Sequence, residues 1–454
     1  MKKSLLVLSG ILAISTALAG CGKSETPAAT DKGAGAATAA ASAAPNKAPV
    51  TIKVQAWYTE AQGNWNATVE AYNKTHPNVK VVYEGMSEKG DSQEGMKKLD
   101  LLAASGEQMD VVMYSSASDF AQRVGAGILE PLDEYLKKDN IVVKDEYKID
   151  PVVNGKYYAL PGKMIEWFVL LNKDKLDEAK LPVPTDWTWN DYAEYAKKLT
   201  KGEGAAKTYG SYFHNWKDYA LLALNNDMDN PYLVKSDGTQ NIDNPKVRYS
   251  LDLRNKLENV DKTSVPYFEV VSQKMAYRDV FYGGKTAMLA TGNWMVGELA
   301  LNAKFKTVFA PYPKYDAKDT NGLTEVGADF MGVAANSKNK QAAYDFVKWY
   351  TTEGIQTQGL FFSGWKKADI SKNVDAILKS GKPDQVAMID KDSLLATLKV
   401  NKATKLVVPP TYALQQEKEY LTQVELFLTG KQDLEKTITT AKTKLEDIRK
   451  SNAK

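Results

Sequence analysis

The chain has 454 residues, with 59 Lys+Arg against 56 Asp+Glu and a formal charge of +3. That near balance leaves no electrostatic footprint for a nucleic-acid partner. One Cys and two His exclude a disulfide framework and a Cys/His zinc site, and they weigh against a Ser-His or Cys-His hydrolase. At about 150 residues per domain the length allows roughly three units. Nine Trp and 24 Tyr are the surplus that needs an explanation.

The first 20 residues read as an address. Met1, Lys2 and Lys3 are a positive start, and an apolar run from Leu5 to Leu18 follows, shorter than the roughly 20 residues of a bilayer span. Leu18-Ala19-Gly20-Cys21 resembles a bacterial lipobox, in which the chain is cut before a Cys that then receives lipid; the single Cys stands at that place. Cleavage there deletes Lys2 and Lys3 and no acid, lowering the charge from +3 to +1. Residues 21–50 are rich in Ala, Gly, Ser and Pro with little to bury, and read as a flexible tether. The mature protein is expected to be anchored rather than spanning.

Order is expected from Thr51. Ile52, Val54 and Ala56 alternate with polar residues as in a strand; Trp65, Val69 and Tyr72 follow at helical spacing, stopped by His76-Pro77. Val79, Val81 and Tyr83 alternate again. A helix over about 92–104 carries Met96, Leu99 and Ala103 on one face, and Asp110 to Tyr114 is a short apolar strand. This β-α-β-α-β order predicts a parallel sheet covered by helices, an α/β fold. In open α/β sheets ligands bind beyond the carboxyl ends of strands. Those ends are Trp57-Tyr58-Thr59-Glu60 and Ser115-Ser116-Ala117-Ser118-Asp119, aromatic with a carboxylate and hydroxylic with a carboxylate. Trp57 reads equally as core.

A second α/β region starts near Glu166, where Trp167 to Leu171 form a buried-type strand. Asp186 to Asp191 opens a helix that Thr188 or Asn190 can cap, with Trp187 and Trp189 assigned to helix start and core. At the end, Leu434, Ile438, Ala441, Leu445 and Ile448 make an amphipathic stripe on a terminal helix.

Several segments together carry a family resemblance: Asn154-Gly155-Lys156-Tyr157-Tyr158-Ala159-Leu160-Pro161, Leu171-Asn172-Lys173-Asp174, Leu181 to Trp189, Phe281 to Met288 followed by Gly292-Asn293-Trp294, and Ala343 to Trp349. In order and spacing the chain resembles the family 1 extracellular solute-binding proteins of ABC importers. The resemblance implies a periplasmic-binding-protein-like fold: two α/β lobes, joined by a hinge of several chain crossings, that close on a ligand. It places the crossings near Lys163–Glu166, Gly327–Met331 and 372–381. One lobe then takes residues 51–163 and 330–375, and the other 164–329 and 376–454. It also implies a carbohydrate ligand, the membrane permease subunits of an importer as partner, a monomer, no catalysis and no cofactor. The lipobox adds a lipid on Cys21, at the outer face of a Gram-positive-type membrane.

A sugar has polar edges and apolar faces, so its cleft needs flat aromatics beside a few acids or amides. Carried onto this sequence, the family's ligand positions fall on Trp57, Glu60, Asp119, Glu166, Trp167, Trp216, Asn293, Trp294, Asp329, Trp365 and Tyr412, with His214 and Asn215 beside Trp216. Asp119 reads equally as a helix cap. Gly283-Gly284-Lys285-Thr286 has the tail of a P-loop without its first Gly, and Asp227 with Asp229 lacks the Gly and Glu of a calcium loop; neither a nucleotide nor a metal is expected. Arg123, Arg248, Arg254, Arg278 and Arg449 fall mostly on helix-like segments, which favours a neutral sugar, an oligosaccharide given the aromatic count, over an acidic one that needs a bidentate Arg. The competing readings are a non-sugar or acidic-sugar solute in the same fold, and a secreted glycoside hydrolase, which requires two carboxylates across one bond.

Overall fold

The computed structural model describes residues 49–452; the leader at 1–20, Cys21 and the tether up to residue 48 lie outside the described residues. The predicted opening elements are present: strand β1 (Val50–Ala56), helix Trp65–Thr75, β2 (Val79–Gly85), helix Ser92–Ser105 and β3 (Val111–Tyr114). β1 pairs in parallel with both β2 and β3. The first helix stops where Pro77 denies residue 76 a helical backbone. Asp91 starts the second by accepting a hydrogen bond from Glu94 N.

The sheet is completed by strands from later in the chain. Its order is β2-β1-β3-β9-β4, with β4 at Leu160–Ile165 and β9 at Gly327–Val333. β9 runs antiparallel to both neighbours, so the sheet is mixed where the sequence implied only parallel strands. β9 enters from a distant segment, and its pairing has no local signature. A second sheet, β6-β5-β7, is built of Trp167–Asn172 (β5) between Met288–Gly292 (β6) and Thr307–Pro311 (β7), both antiparallel to it. A short parallel pair joins β8 (Leu323–Thr324) to β10 (Lys402–Ala403).

Each sheet has its own core. Ile52, Val54, Val81, Val111, Phe330 and Val333 pack with Trp65, Tyr72 and Phe346 against the first. Trp65 lies flat between Tyr83 and Tyr350, with ring centroids 4.7 and 4.8 Å away. The second sheet buries Val169 and Leu171 with Trp187 and Trp189 on one side, and Phe168, Leu170 and Phe309 on the other. Thr188 caps the helix Trp189–Leu199, its side chain and that of Asp191 forming a reciprocal box. The chain leaves the first sheet at Ile165 and joins the second at Trp167, with Glu166 between them. It returns through Glu325–Val326. Helix Ile370–Lys379 places Val374 and Ile377 in the second core, so the later passage precedes Ile370, ahead of the 372–381 read from the sequence. Among the described residues no helix is long and apolar enough to cross a membrane.

Candidate functional site

The passage between the sheets gathers polar side chains. Lys163, on β4, is 5% exposed; its ammonium lies 3.0 Å from an Asp329 carboxylate oxygen and donates to the Tyr58 hydroxyl at 2.5 Å. Tyr58 in turn donates to Asp329 at 2.6 Å. The ammonium sits 5.0, 5.2 and 5.9 Å from the ring centroids of Phe361, Tyr58 and Trp294, a cation held among three aromatic rings. Burial pushes the Asp329 carboxyl upward, against the pull of Lys163 and Tyr58, and its Oδ1 has no hydrogen-bond partner among the described residues.

Trp294 belongs to a second cluster, on the side of the second sheet. Its indole meets Trp167 edge-on at 5.5 Å and Trp216 at 6.2 Å, and its Nε1 donates to the Tyr277 hydroxyl at 3.0 Å. Trp216 lies 4.9 Å from His214 and 5.2 Å from Tyr277. Gly292 explains the local sequence: a Cβ there would stand 1.8 Å from the Trp294 ring, so only Gly lets the indole fold back over the end of β6. Asn293 ties the clusters together. Its backbone N donates to the Glu166 carbonyl at 2.9 Å and its Nδ2 to the Met164 carbonyl at 3.1 Å, while its Oδ1 has no partner among the described residues. Burial raises the Glu166 carboxyl, opposed by Lys148 and Asn401. Burial likewise lowers His214 to about 3, with Arg254 and Arg278 adding to it, so its imidazole is neutral.

A further wall carries charge. Lys217 pairs with Glu417 at 2.9 Å, and Ser118, from the helix after β3, donates to the same Glu417 oxygen at 2.6 Å. Burial, then Asp218, then Glu417 push Glu325 up to about 8, against Lys217.

The structure therefore brings Glu166, Trp167, Trp216, Asn293, Trp294 and Asp329 together, with Trp57 joined through Tyr58 at 4.8 Å between rings. Gly95 lets helix Ser92–Ser105 pack closely on Trp57, since a Cβ there would meet the Trp57 Cβ at 2.6 Å. Four expected residues are engaged elsewhere. Glu60 is exposed and accepts from Asn66 N, holding the start of helix Trp65–Thr75. Asp119 is spent on Ser116 and on Arg123, at 2.7 and 2.8 Å. Trp365 donates to Glu146 at 3.1 Å. The Tyr412 hydroxyl lies against Gly238, where a Cβ would stand 1.9 Å from it. Sequence reasoning missed Lys163, Tyr277, Arg278 and the Lys217–Glu417 pair. Lys163 stands at an expected crossing, the one signal available; the others are brought in by tertiary packing. The two sequence decoys resolve as turns. Asp227 Oδ1 accepts from the Asp229 and Asn230 amides, and Thr286 donates to the Met288 carbonyl at the entry to β6.

Two sheets with separate cores, joined by repeated passages and flanked by helices, are the periplasmic-binding-protein-like α/β fold. The chain belongs to the bacterial extracellular solute-binding proteins, whose family model matches residues 56–357. It is 24% identical over 296 residues to the maltotriose-binding protein of Pyrococcus abyssi, covering 63% of this chain and 59% of that relative's length. Its fold matches an ABC substrate-binding protein from Listeria monocytogenes in complex with cycloalternan, with a TM-score of 0.71 at 19% identity, over 88% of this chain and 99% of that one. It also matches UgpB from Mycobacterium tuberculosis in complex with glycerophosphocholine, with a TM-score of 0.69 at 16% identity, over 90% and 100%.

Proposed function

We propose that the protein captures a neutral sugar, in particular an oligosaccharide, in the cleft between the two lobes and hands it to the permease subunits of an ABC importer. In this reading it acts as a monomer, without catalysis, held at the outer membrane face by lipid on Cys21. The observation that carries the sugar reading is the half-buried aromatic pair of Trp216 and Trp294, in a region where two buried oxygens, Asn293 Oδ1 and Asp329 Oδ1, have no hydrogen-bond partner among the described residues. Flat rings suit the C–H faces of a pyranose, and unmet acceptors suit its hydroxyls. The printed ligands of the maltotriose and cycloalternan binders point the same way. Binding without chemistry is supported by how the four candidate carboxylates are used: Asp119 is held by Arg123, Asp329 by Lys163, and Glu60 is exposed at a helix start, which leaves Glu166 without the second free carboxylate that a glycosidase needs.

Calorimetry against neutral mono- and oligosaccharides, acidic sugars and glycerophosphodiesters tests the ligand class. Tight binding of a neutral oligosaccharide is expected; binding confined to glycerophosphodiesters or acidic sugars contradicts the reading. For the anchor, metabolic labelling with radioactive palmitate is expected to mark the native chain and not Cys21→Ala.

A further inference from the structure

Resting on the sugar reading, we propose that a cavity beside Trp294 is a subsite for one neutral pyranose ring at the end of an oligosaccharide, with the Arg278–Glu298 pair binding its neighbouring hydroxyls. The cavity measures about 220 Å³. Gln62 and Phe361 line it from the side of the first sheet, and Arg278, Tyr282, Trp294 and Glu298 from the side of the second. Pockets that enclose a whole drug-sized ligand measure roughly 300–1,000 Å³, so this one suits a single ring of a longer chain.

The chemistry of the walls narrows the occupant. Arg278 makes a two-pronged contact with Glu298, Nε to Oε2 at 2.5 Å and Nη2 to Oε1 at 2.6 Å, which leaves Nη1 to serve a ligand. Its guanidinium also lies 4.5 Å from the Tyr277 ring centroid, fixing its plane. Charge within the pair cancels. An anionic group entering the cavity would face Glu298 and Asp279, and a cationic one would face Arg278. A hydroxyl pair suffers neither repulsion, because one hydroxyl accepts from Arg278 and the other donates to Glu298. Trp294 and Phe361 offer apolar surface for the ring's C–H faces. The buried Tyr282 hydroxyl has no hydrogen-bond partner among the described residues, so the wall carries unused hydrogen-bonding capacity.

The test is a calorimetric ladder of one neutral sugar, from monosaccharide to tetrasaccharide, on the full chain and on Glu298→Gln and Tyr282→Phe. Tyr282→Phe removes a hydroxyl with no hydrogen-bond partner among the described residues, so it reports on the ligand and not on folding. For the longest oligomer Glu298→Gln is expected to weaken binding about 10- to 100-fold. Tyr282→Phe is expected to weaken it by a smaller factor. The shortest sugar that binds is expected to keep its affinity in both. Equal losses for short and long sugars, or no loss for any, overturn the subsite and leave the sugar reading standing. A native chain that binds no neutral sugar at all overturns both.

Discussion

Two aromatic clusters sit on opposite sides of the passage between the sheets, and they differ in what surrounds them. Around Trp65 every ring is packed: the indole is fully buried and stacked between Tyr83 and Tyr350. Around Trp294 the rings meet edge-on or tilted, Trp294 and Trp216 stay half-buried, and Asn293 beside them holds an oxygen with no partner among the described residues. The first arrangement maximises contact among the protein's own atoms. The second leaves half-buried ring surface for something else; unmet polar atoms do not separate the two, since Trp65 Nε1 also has no hydrogen-bond partner among the described residues. On the proposed function the surplus of Trp and Tyr divides between stability and recognition, and exposure is what separates the two.

The comparison breaks if the clusters can exchange roles. Trp65→Ala is expected to cost about 3–5 kcal/mol of folding stability, read by urea unfolding, with ligand affinity near native in whatever fraction stays folded. Trp294→Ala is expected to cost less stability and about 2 kcal/mol or more of binding, a roughly 30-fold loss by calorimetry. Gly292→Ala sharpens the point without touching the ring. Its Cβ must displace the Trp294 indole, so affinity is expected to fall toward that of Trp294→Ala, with an altered near-ultraviolet circular dichroism spectrum.

The smallest effects are pH-dependent and lie wholly on the recognition side. His214 titrates near 3 when folded and near 6.5 when unfolded, so the unfolded chain gains its proton first as pH falls. Stability is therefore expected to decline from about pH 6.5 downward, and His214→Gln to lose that part of the slope. Glu325 has the opposite sign. Folded, it keeps its proton to about 8, whereas an unfolded Glu loses it near 4.5. Stability is expected to fall as pH rises between those values, and Glu325→Gln to flatten that limb in a urea-midpoint profile.

Local periodicity made five of the first six elements legible, all but the short helix Glu60–Gly63, because Ile52, Val54 and Ala56, or Trp65, Val69 and Tyr72, bury one face whatever the remote partner is. It could not show β9 inserting antiparallel between β3 and β4, since those pairings join segments more than 160 residues apart. The site divides in the same way. Gly292-Asn293-Trp294 was singled out through the family resemblance, which three contiguous residues at one strand end can carry. Lys163 and Arg278 were not, because their partners Asp329 and Glu298 lie on other elements. Trp365 and Tyr412 have cleft-like chemistry, yet Glu146 and Gly238 hold them, and residue type alone carries no such information.

The central claim is that the half-buried cluster, and not the packed one, meets the ligand. Thermal unfolding of the native chain and of Trp294→Ala, each with and without a neutral oligosaccharide at one hundred times the native dissociation constant, tests it most directly. The native chain is expected to gain about 2.7 kcal/mol from the ligand and Trp294→Ala to gain well under half of that. An equal gain in both would contradict the account.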